Sequence, residues 1–235
     1  MIVSFYTRKY GKIKGVVKGV KRLTSRFGCS IEPFTYIKIM FYSPKENNDK
    51  LNIIQQSEII KPFKKIREDL TKLSYALFIT EITDNMTREI YKDEKIFRLV
   101  LKYLNWLEDE AKEIIIYSFC LKLLCILGFK PVLDQCVICR NKVLDRIRVW
   151  FSRGEGGIIC PRCNTEDRQI LPVSMYIINL IHRLIYDKIS ELKRYVISDN
   201  VINEIKDVTF YFLEYYITAP IKSAKFVSNI QFFWK

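Results

Sequence analysis

The sequence predicts a multidomain α+β protein: a small N-terminal β-barrel, a mainly α-helical domain after it, and a four-cysteine metal-binding insert among the helices. Three observations carry that prediction. Residues 1–61 hold short runs rich in β-branched and aromatic side chains, the composition of strands. From Pro62 onward the apolar residues recur at three and four, the spacing of helices. Two Cys-x-x-Cys pairs, Cys136/Cys139 and Cys160/Cys163, stand twenty residues apart.

Strands are expected over Val3–Tyr6, Ile13–Val20, Thr35–Tyr42 and Leu51–Ile60, with Ser43–Lys50 as a polar turn. Gly11, Gly15 and Gly19 recur at every fourth residue. The Ile and Val between them argue for strand, and glycines inside a strand mark sharp bends such as barrel corners. Several short, bent strands point to a small barrel.

Ile66, Leu70, Leu73 and Leu77 fall at helical spacing, and so do Ile96, Val100, Leu104 and Leu107. Ala111–Leu127 predicts a third helix, apolar nearly all round and hence central in a bundle. Gly128 stops it and Pro131 follows. Two late helices are expected, one from Ser174 as N-cap to about Ile189, the other from Asn200 to about Ile217. Domains are therefore drawn at 1–61 and 62–235, with the cysteine insert at 132–167. Internal repeats and low-complexity segments are absent from the sequence.

The cysteine spacing is C-x2-C-x20-C-x2-C. A two-residue gap lets a tight knuckle aim two sulfurs at one ion, and zinc accepts four thiolates tetrahedrally. Arg148–Ser152 reads as a strand, Arg153–Gly157 as a turn and Ile158–Ile159 as the returning strand. That hairpin carries Cys160 back beside Cys139. With Cys136, Cys139, Cys160 and Cys163 filling all four positions, no site is left for water or substrate, so the zinc is structural. The Zn(Cys)4 unit carries two net negative charges. Arg140, Lys142 and Arg162 could balance them or could be solvated surface. Cys120 and Cys125 sit in the apolar third helix as small hydrophobes, and Cys29 has no assigned role.

The 235-residue chain carries a net charge of +13, which favours a polyanionic partner. Nucleic acid and an anionic membrane surface both qualify, a basic surface serving solubility alone is the plain alternative, and a membrane-spanning segment is not expected. Met1–Tyr6 is no signal peptide, and the most apolar stretch, Ile114–Phe129, is shorter than the ~20 residues a bilayer requires and is interrupted by Lys122. The chain reads as cytoplasmic, where seven cysteines mean metal or core packing before disulfides. Eight of the first thirty residues are Lys or Arg and none is acidic. Among these, Lys12, Lys14 and Lys18 share one strand face, and Lys21, Arg22 and Arg26 extend the patch into a loop. Such a patch suits nucleic-acid phosphates, with aromatics stacking on bases; Phe5, Tyr6 and Phe27 could serve so, although each taken singly reads as core.

Signatures of catalysis are missing. His182, the one histidine, lies in a helical run of Ile, Leu and Tyr, and no phosphate-binding or nucleophile-elbow motif occurs. Glu108-Asp109-Glu110 falls at a helix boundary, where acidic clusters are ordinary.

The order of parts then becomes recognisable. Phe5–Arg22, Ser25–Gly28 and Glu32-Pro-Phe34 resemble the N-terminal barrel signature of the RecO family. Lys61-Pro-Phe63 with Arg67–Leu70 is similar to that family's junction into its helical domain. Leu127-Gly-Phe129, Leu133–Cys136, Cys139, Phe151, Gly156-Gly157 and the second cysteine pair resemble its zinc-bearing members, and Tyr211–Phe226 its closing helix and tail. The resemblance covers nearly the whole chain. It implies an OB-type barrel, a helical domain and an inserted zinc ribbon. Family members carry one more strand before the segment matched at Met1, so the barrel is expected to lack its first strand.

The implied function is mediation in RecF-pathway repair, in the cytoplasm at the nucleoid. Such proteins bind single- and double-stranded DNA, anneal complementary strands, contact the C-terminal tail of single-strand binding protein (SSB), and act with RecR to help RecA load. The tail is acidic with an apolar end. In the helical domain, Arg183, Lys188, Lys193 and Arg194, near Ile181, Leu184 and Leu192, are the candidates to receive it. The alternatives are a nucleic-acid enzyme, or enzyme subunit, whose zinc ribbon docks substrate, and a pure interaction scaffold.

Overall fold

The computed structural model describes residues 1–19, 27–44, 51–89, 92–143, 148–164 and 170–227. These fall into two compact units, Met1–Ala111 and Lys112–Lys235. The boundary expected at 61/62 lies inside the first unit, at its passage from sheet to helices.

The first unit opens with a four-stranded sheet built from β1 (Ile2–Thr7), β2 (Gly11–Val17), β3 (Tyr36–Tyr42) and β4 (Asn52–Lys61), in the order β1-β2-β4-β3. β1 and β2 form an antiparallel hairpin, β3 and β4 a second one, and β2 runs parallel to β4. Among the described residues β1 and β3 do not pair, so the expected barrel is an open sheet whose two outer strands are β1 and β3. Val17, Phe27 and Ile54 form its buried centre, with Val3, Phe5, Ile31, Ile39 and Phe41 packed around them. Alternation explains the set: in β2 the odd positions Gly11, Ile13, Gly15 and Val17 are buried while Lys12, Lys14 and Val16 face the other way. Two of the recurring glycines have distinct causes. Gly11 takes φ +66° where the hairpin turns into β2. At Gly15 a methyl group would lie 2.6 Å from Ile54 Cδ1, so the buried Ile54 side chain fills the space that a Cβ would take.

Helices α1 (Lys64–Glu68), α2 (Leu70–Met86) and α3 (Glu94–Asp109) complete this unit. The Ile66/Leu70/Leu73/Leu77 periodicity does not survive as one helix. Asp69 is extended and caps α2, accepting hydrogen bonds from the N–H groups of Thr71 and Lys72. The break rotates the faces: Ile66 is buried, but Leu70 is 82% exposed, and the inward stripe of α2 runs through Tyr75, Phe78, Ile79 and Ile82. In α3 the expected face holds except at Val100, which is half-buried, with Ile96, Leu104 and Leu107 buried alongside Tyr103 and Trp106. Arg67 fastens the sheet-to-helix junction by donating to the Pro62 and Pro33 carbonyls and pairing with Glu32 at 3.2 Å.

The second unit is organised around α4 (Ile114–Ile126), of whose 13 residues ten are buried, as an apolar surround predicts. It packs on α5 (Met175–Tyr186) and α7 (Asp199–Glu214), which also touch each other. Its end is a Schellman motif: Gly128 at φ +94° donates to Cys125 O, and Phe129 donates to Leu124 O. Lys122, the charge inside this apolar helix, donates to the Ile185 and Asp187 carbonyls and so caps the end of α5. Ser174 caps the start of α5 as expected, accepting from Ile177 N–H at 3.4 Å. A short α6 (Ile189–Leu192) precedes α7. Among the described residues no helix is long and apolar enough to cross a membrane.

A second sheet, ordered β6-β5-β7, joins β5 (Arg148–Ser152), β6 (Gly157–Ile159) and β7 (Leu171–Ser174), all antiparallel. The β5–β6 hairpin is the one expected between the cysteine pairs. β7 is masked in the sequence by Pro172, which interrupts a four-residue strand; as an outer strand it tolerates the lost donor.

Candidate metal centre and basic hairpin

The four-cysteine site is built by backbone pairing before any ion is considered. Val132 donates to Gly156 O and accepts from Ile158 N–H, and Val137 N–H donates to Ile158 O, so the first knuckle lies against β6. Gly157 makes this possible. A methyl group there would stand 2.4 Å from Val132 O and 2.7 Å from Val137 Cγ1. Within the knuckle Arg140 N–H donates to Cys136 O and Arg140 itself takes φ +61°, which turns the chain back past Cys139. The second knuckle is a single 3-10 turn, Pro161–Cys163, closed by Cys163 N–H on Cys160 O.

The sulfurs of Cys136, Cys139, Cys160 and Cys163 consequently lie within 4.8 Å of one another, a group able to hold a metal ion. Cys139 Sγ and Cys160 Sγ are 3.8 Å apart, and a tetrahedral ion with metal–sulfur bonds of about 2.3 Å sets its ligands about 3.8 Å apart. Burial by itself would raise the Cys136 thiol. The N–H groups of Cys139, Cys160 and Ile138 outweigh that and bring it down to about 6. Cys163 goes the other way, pushed up to about 12 by burial and by hydrogen bonds to the other three sulfurs. A bound cation needs its sulfur ligands as thiolates, so binding releases protons from the site. Cys120 is buried, and its thiol is driven upward by desolvation, consistent with a core role.

The tightness of Gly157 yields a direct expectation. Gly157→Ala should destabilise the second unit by about 1–3 kcal/mol, because the obstructing atom is backbone that cannot swing away. Gly154→Ala, with no atom within 4 Å of the added methyl, serves as control. Denaturant midpoints that fall equally for both variants would contradict this.

The basic residues expected on the N-terminal strands divide into three groups. Lys12 is held inward, its ammonium 3.1 Å from the Asp84 carboxylate and 2.8 Å from the Asp84 carbonyl, with only 12% of the side chain exposed. Lys14 is on the same face, half exposed, and paired with Glu89, which raises its pKa through the hydrogen bond and the charge. Lys18 follows the end of β2 and is exposed. Lys21, Arg22 and Arg26 lie outside the described residues.

Of the aromatic candidates, Phe27 is buried and Phe5 packs on the same centre, so both are core. Tyr6 is half-buried with its hydroxyl buried. An exposed ring at the β1–β2 turn is Tyr10, set edge-on against Phe41 at 5.3 Å. Its place between Arg8-Lys9 and Gly11, an aromatic between cations and a turn glycine, is the signal of it in the sequence.

The late-helix cations are exposed or half-exposed, but they are not beside an apolar groove made by Ile181, Leu184 and Leu192, which are all buried in the core. Arg183 is paired with Asp187 at 3.3 Å and lies 4.6 Å from the Tyr195 ring. Lys188 starts α6, and Lys193 and Arg194 follow it. His182 is exposed on α5, its ring 4.4 Å from that of Tyr186.

Comparison with known proteins bears on both units. Residues 1–63 match the family model of the recombination protein O N terminal, and residues 67–225 match that of the recombination protein O C terminal. The DNA repair protein RecO of Bacillus pumilus is 32% identical over 231 residues, which cover 98% of this chain and 88% of that protein. The RecO proteins of Symbiobacterium thermophilum and Bacillus subtilis are each 29% identical, over 233 and 231 residues. With two models matched in sequence order and a relative aligned along nearly its whole length, the chain belongs to the RecO family of DNA repair proteins, non-enzymatic mediators of recombination.

Proposed function

We propose that this protein binds and anneals single-stranded DNA, also binds duplex, and with RecR helps RecA load onto SSB-coated strands. The observation that carries this reading is the match of both parts of the chain to one mediator family, joined to a net charge of +13. A nucleic-acid enzyme carrying the cysteine module has no support in a family of non-enzymatic mediators.

Residues 1–61 are the DNA-binding domain in this proposal, and 62–235 the helical domain bearing the insert at 132–167. The order β1-β2-β4-β3, with one parallel contact in an otherwise antiparallel sheet, supports an OB-type barrel, since a strand hydrogen-bonded to both β1 and β3 would close it. Phosphate contacts are assigned to Lys14, Lys18, Lys21, Arg22 and Arg26, while Lys12 is given a positioning role because Asp84 already holds its ammonium. Tyr10 is the proposed base-stacking ring. The ion is zinc, held by Cys136, Cys139, Cys160 and Cys163, and its role is structural: four protein sulfurs leave no open position. The acidic SSB tail is received by Arg183, Lys188, Lys193 and Arg194, and its apolar end seats elsewhere than on Ile181, Leu184 and Leu192.

The decisive experiment is annealing of complementary strands coated with SSB. The protein is expected to accelerate it without consuming nucleotide, and the tail peptide added free should slow it. A rate equal to spontaneous annealing would overturn the proposal.

A further inference from the structure

The β1–β2 hairpin is basic, yet three of its cations do not stand free. Arg8, Lys12 and Lys14 each face a carboxylate from one short stretch of the chain. Asp84 comes from the last turn of α2, Glu89 from the link that follows, and Glu94 is the first residue of α3. Lys12 and Glu89 also form a parallel backbone bridge, so Glu89 lies beside β2.

These pairs are of two kinds. The Lys12 ammonium is nearly enclosed and bonded twice to Asp84, which makes it an anchor. The other two are open to solvent. Lys14 and Glu89 are each 49% exposed, and Arg8 and Glu94 are 59% and 41% exposed, with Arg8 Nε at 2.6 Å from the carboxylate. Glu94 also binds Arg98 at 2.8 Å, so one carboxylate is shared between two guanidinium groups. Both glutamates are held below the usual carboxylate range by these hydrogen bonds and are charged at neutral pH.

We propose that Glu89 and Glu94 occupy the places of phosphates on this hairpin, and so act as specificity residues that only a strand of closely spaced charges displaces. The inference rests on the proposed DNA contact of the hairpin and names what that contact must compete with. An exposed ion pair contributes little stability, so it yields to a better anion. A lone phosphate gains one such contact and meets the repulsion of the carboxylate it displaces. A nucleic-acid strand meets the same repulsion but fills several cationic positions at once and releases its condensed counterions.

Glu89→Gln, Glu94→Gln and the double variant, in the full chain, test this by fluorescence anisotropy with a labelled oligo-dT. Affinity should rise roughly two- to five-fold for each released pair. The salt slope should change little, because the cations freed by the substitutions already meet phosphate in the wild-type complex once the glutamates are displaced. In a Lys14→Gln background, Glu89→Gln should give no gain, which separates a local contest for Lys14 from a general loss of negative charge. Far-ultraviolet circular dichroism establishes that the exposed substitutions leave the fold intact. Inorganic phosphate at concentrations that leave ionic strength unchanged should not compete with the oligonucleotide for the wild type. Unchanged or weaker binding by the double variant, or an equal gain in the Lys14→Gln background, would overturn the inference while leaving DNA binding standing. Absence of binding by the wild type would remove the DNA-binding reading itself, and this inference with it.

Discussion

Exchanging Cys139 for serine is expected to strip the metal from residues 136–163 and loosen the module that those residues form. A serine hydroxyl is a poor zinc ligand, and three sulfurs leave the ion open to water. Structural zinc contributes apparent free energies of about 10–16 kcal/mol in small modules at pH 7, so the loss is large on the scale of any side-chain contact. The damage should extend to β5 and β6, because the first knuckle is hydrogen-bonded to β6 through Val132, Val137 and Ile158. Elemental analysis and proteolysis of the variant measure both effects. Lowering the pH should imitate the substitution progressively, since protons compete with the ion for thiolates. Freshly purified wild type without zinc would refute the assignment.

A second large effect is expected on DNA. Five phosphate contacts at Lys14, Lys18, Lys21, Arg22 and Arg26 imply a slope of log K against log salt of about −3.5, at about −0.7 per contact on a single strand. Alanine at Lys21 and Arg22 together should make the slope shallower by about 1.4 and weaken all sequences alike, because phosphate contacts carry no base information. Zinc content and helical signal should stay as in the wild type. An unchanged slope together with wild-type annealing would show that the N-terminal charges are incidental and that annealing relies on the helical domain.

Features encoded by neighbouring residues were legible in the sequence. The Ser174 cap, the Gly128 stop, the apolar surround of α4 and the β5–β6 hairpin all depend on residues a few positions apart, and the structure has each of them. The cysteine site was legible for the same reason, since two short knuckles and one hairpin suffice to assemble it. Features settled by distant partners were not. Leu70 fits the helical spacing of its neighbours, but that spacing runs straight through Asp69, and an Asp before a helical run is itself a start signal. The barrel was inferred from bends, whereas closure depends on whether β1 and β3 find a common neighbour. The acids that meet Arg8, Lys12 and Lys14 lie about seventy to ninety residues further along the chain, and nothing in the basic run announces them. Ile181, Leu184 and Leu192 show the same limit: the sequence placed apolar residues beside the cations but could not say which of them were already buried.

The position of α4 in the chain has a consequence for biosynthesis. The helix is complete at Ile126, but its two covering partners begin at Met175 and end at Glu214, with the metal module between. At translation speeds of about 5–20 residues per second, the apolar rod waits roughly four to eighteen seconds for its full cover. During that interval it is the stickiest segment on the nascent chain, and a trigger for chaperone capture. The wait is built into the order of the elements, so faster local helix formation cannot shorten it. A ribosome that stalls before Glu214 releases a fragment whose most apolar helix is only partly covered, and such fragments are destined for aggregation or degradation rather than for partial function.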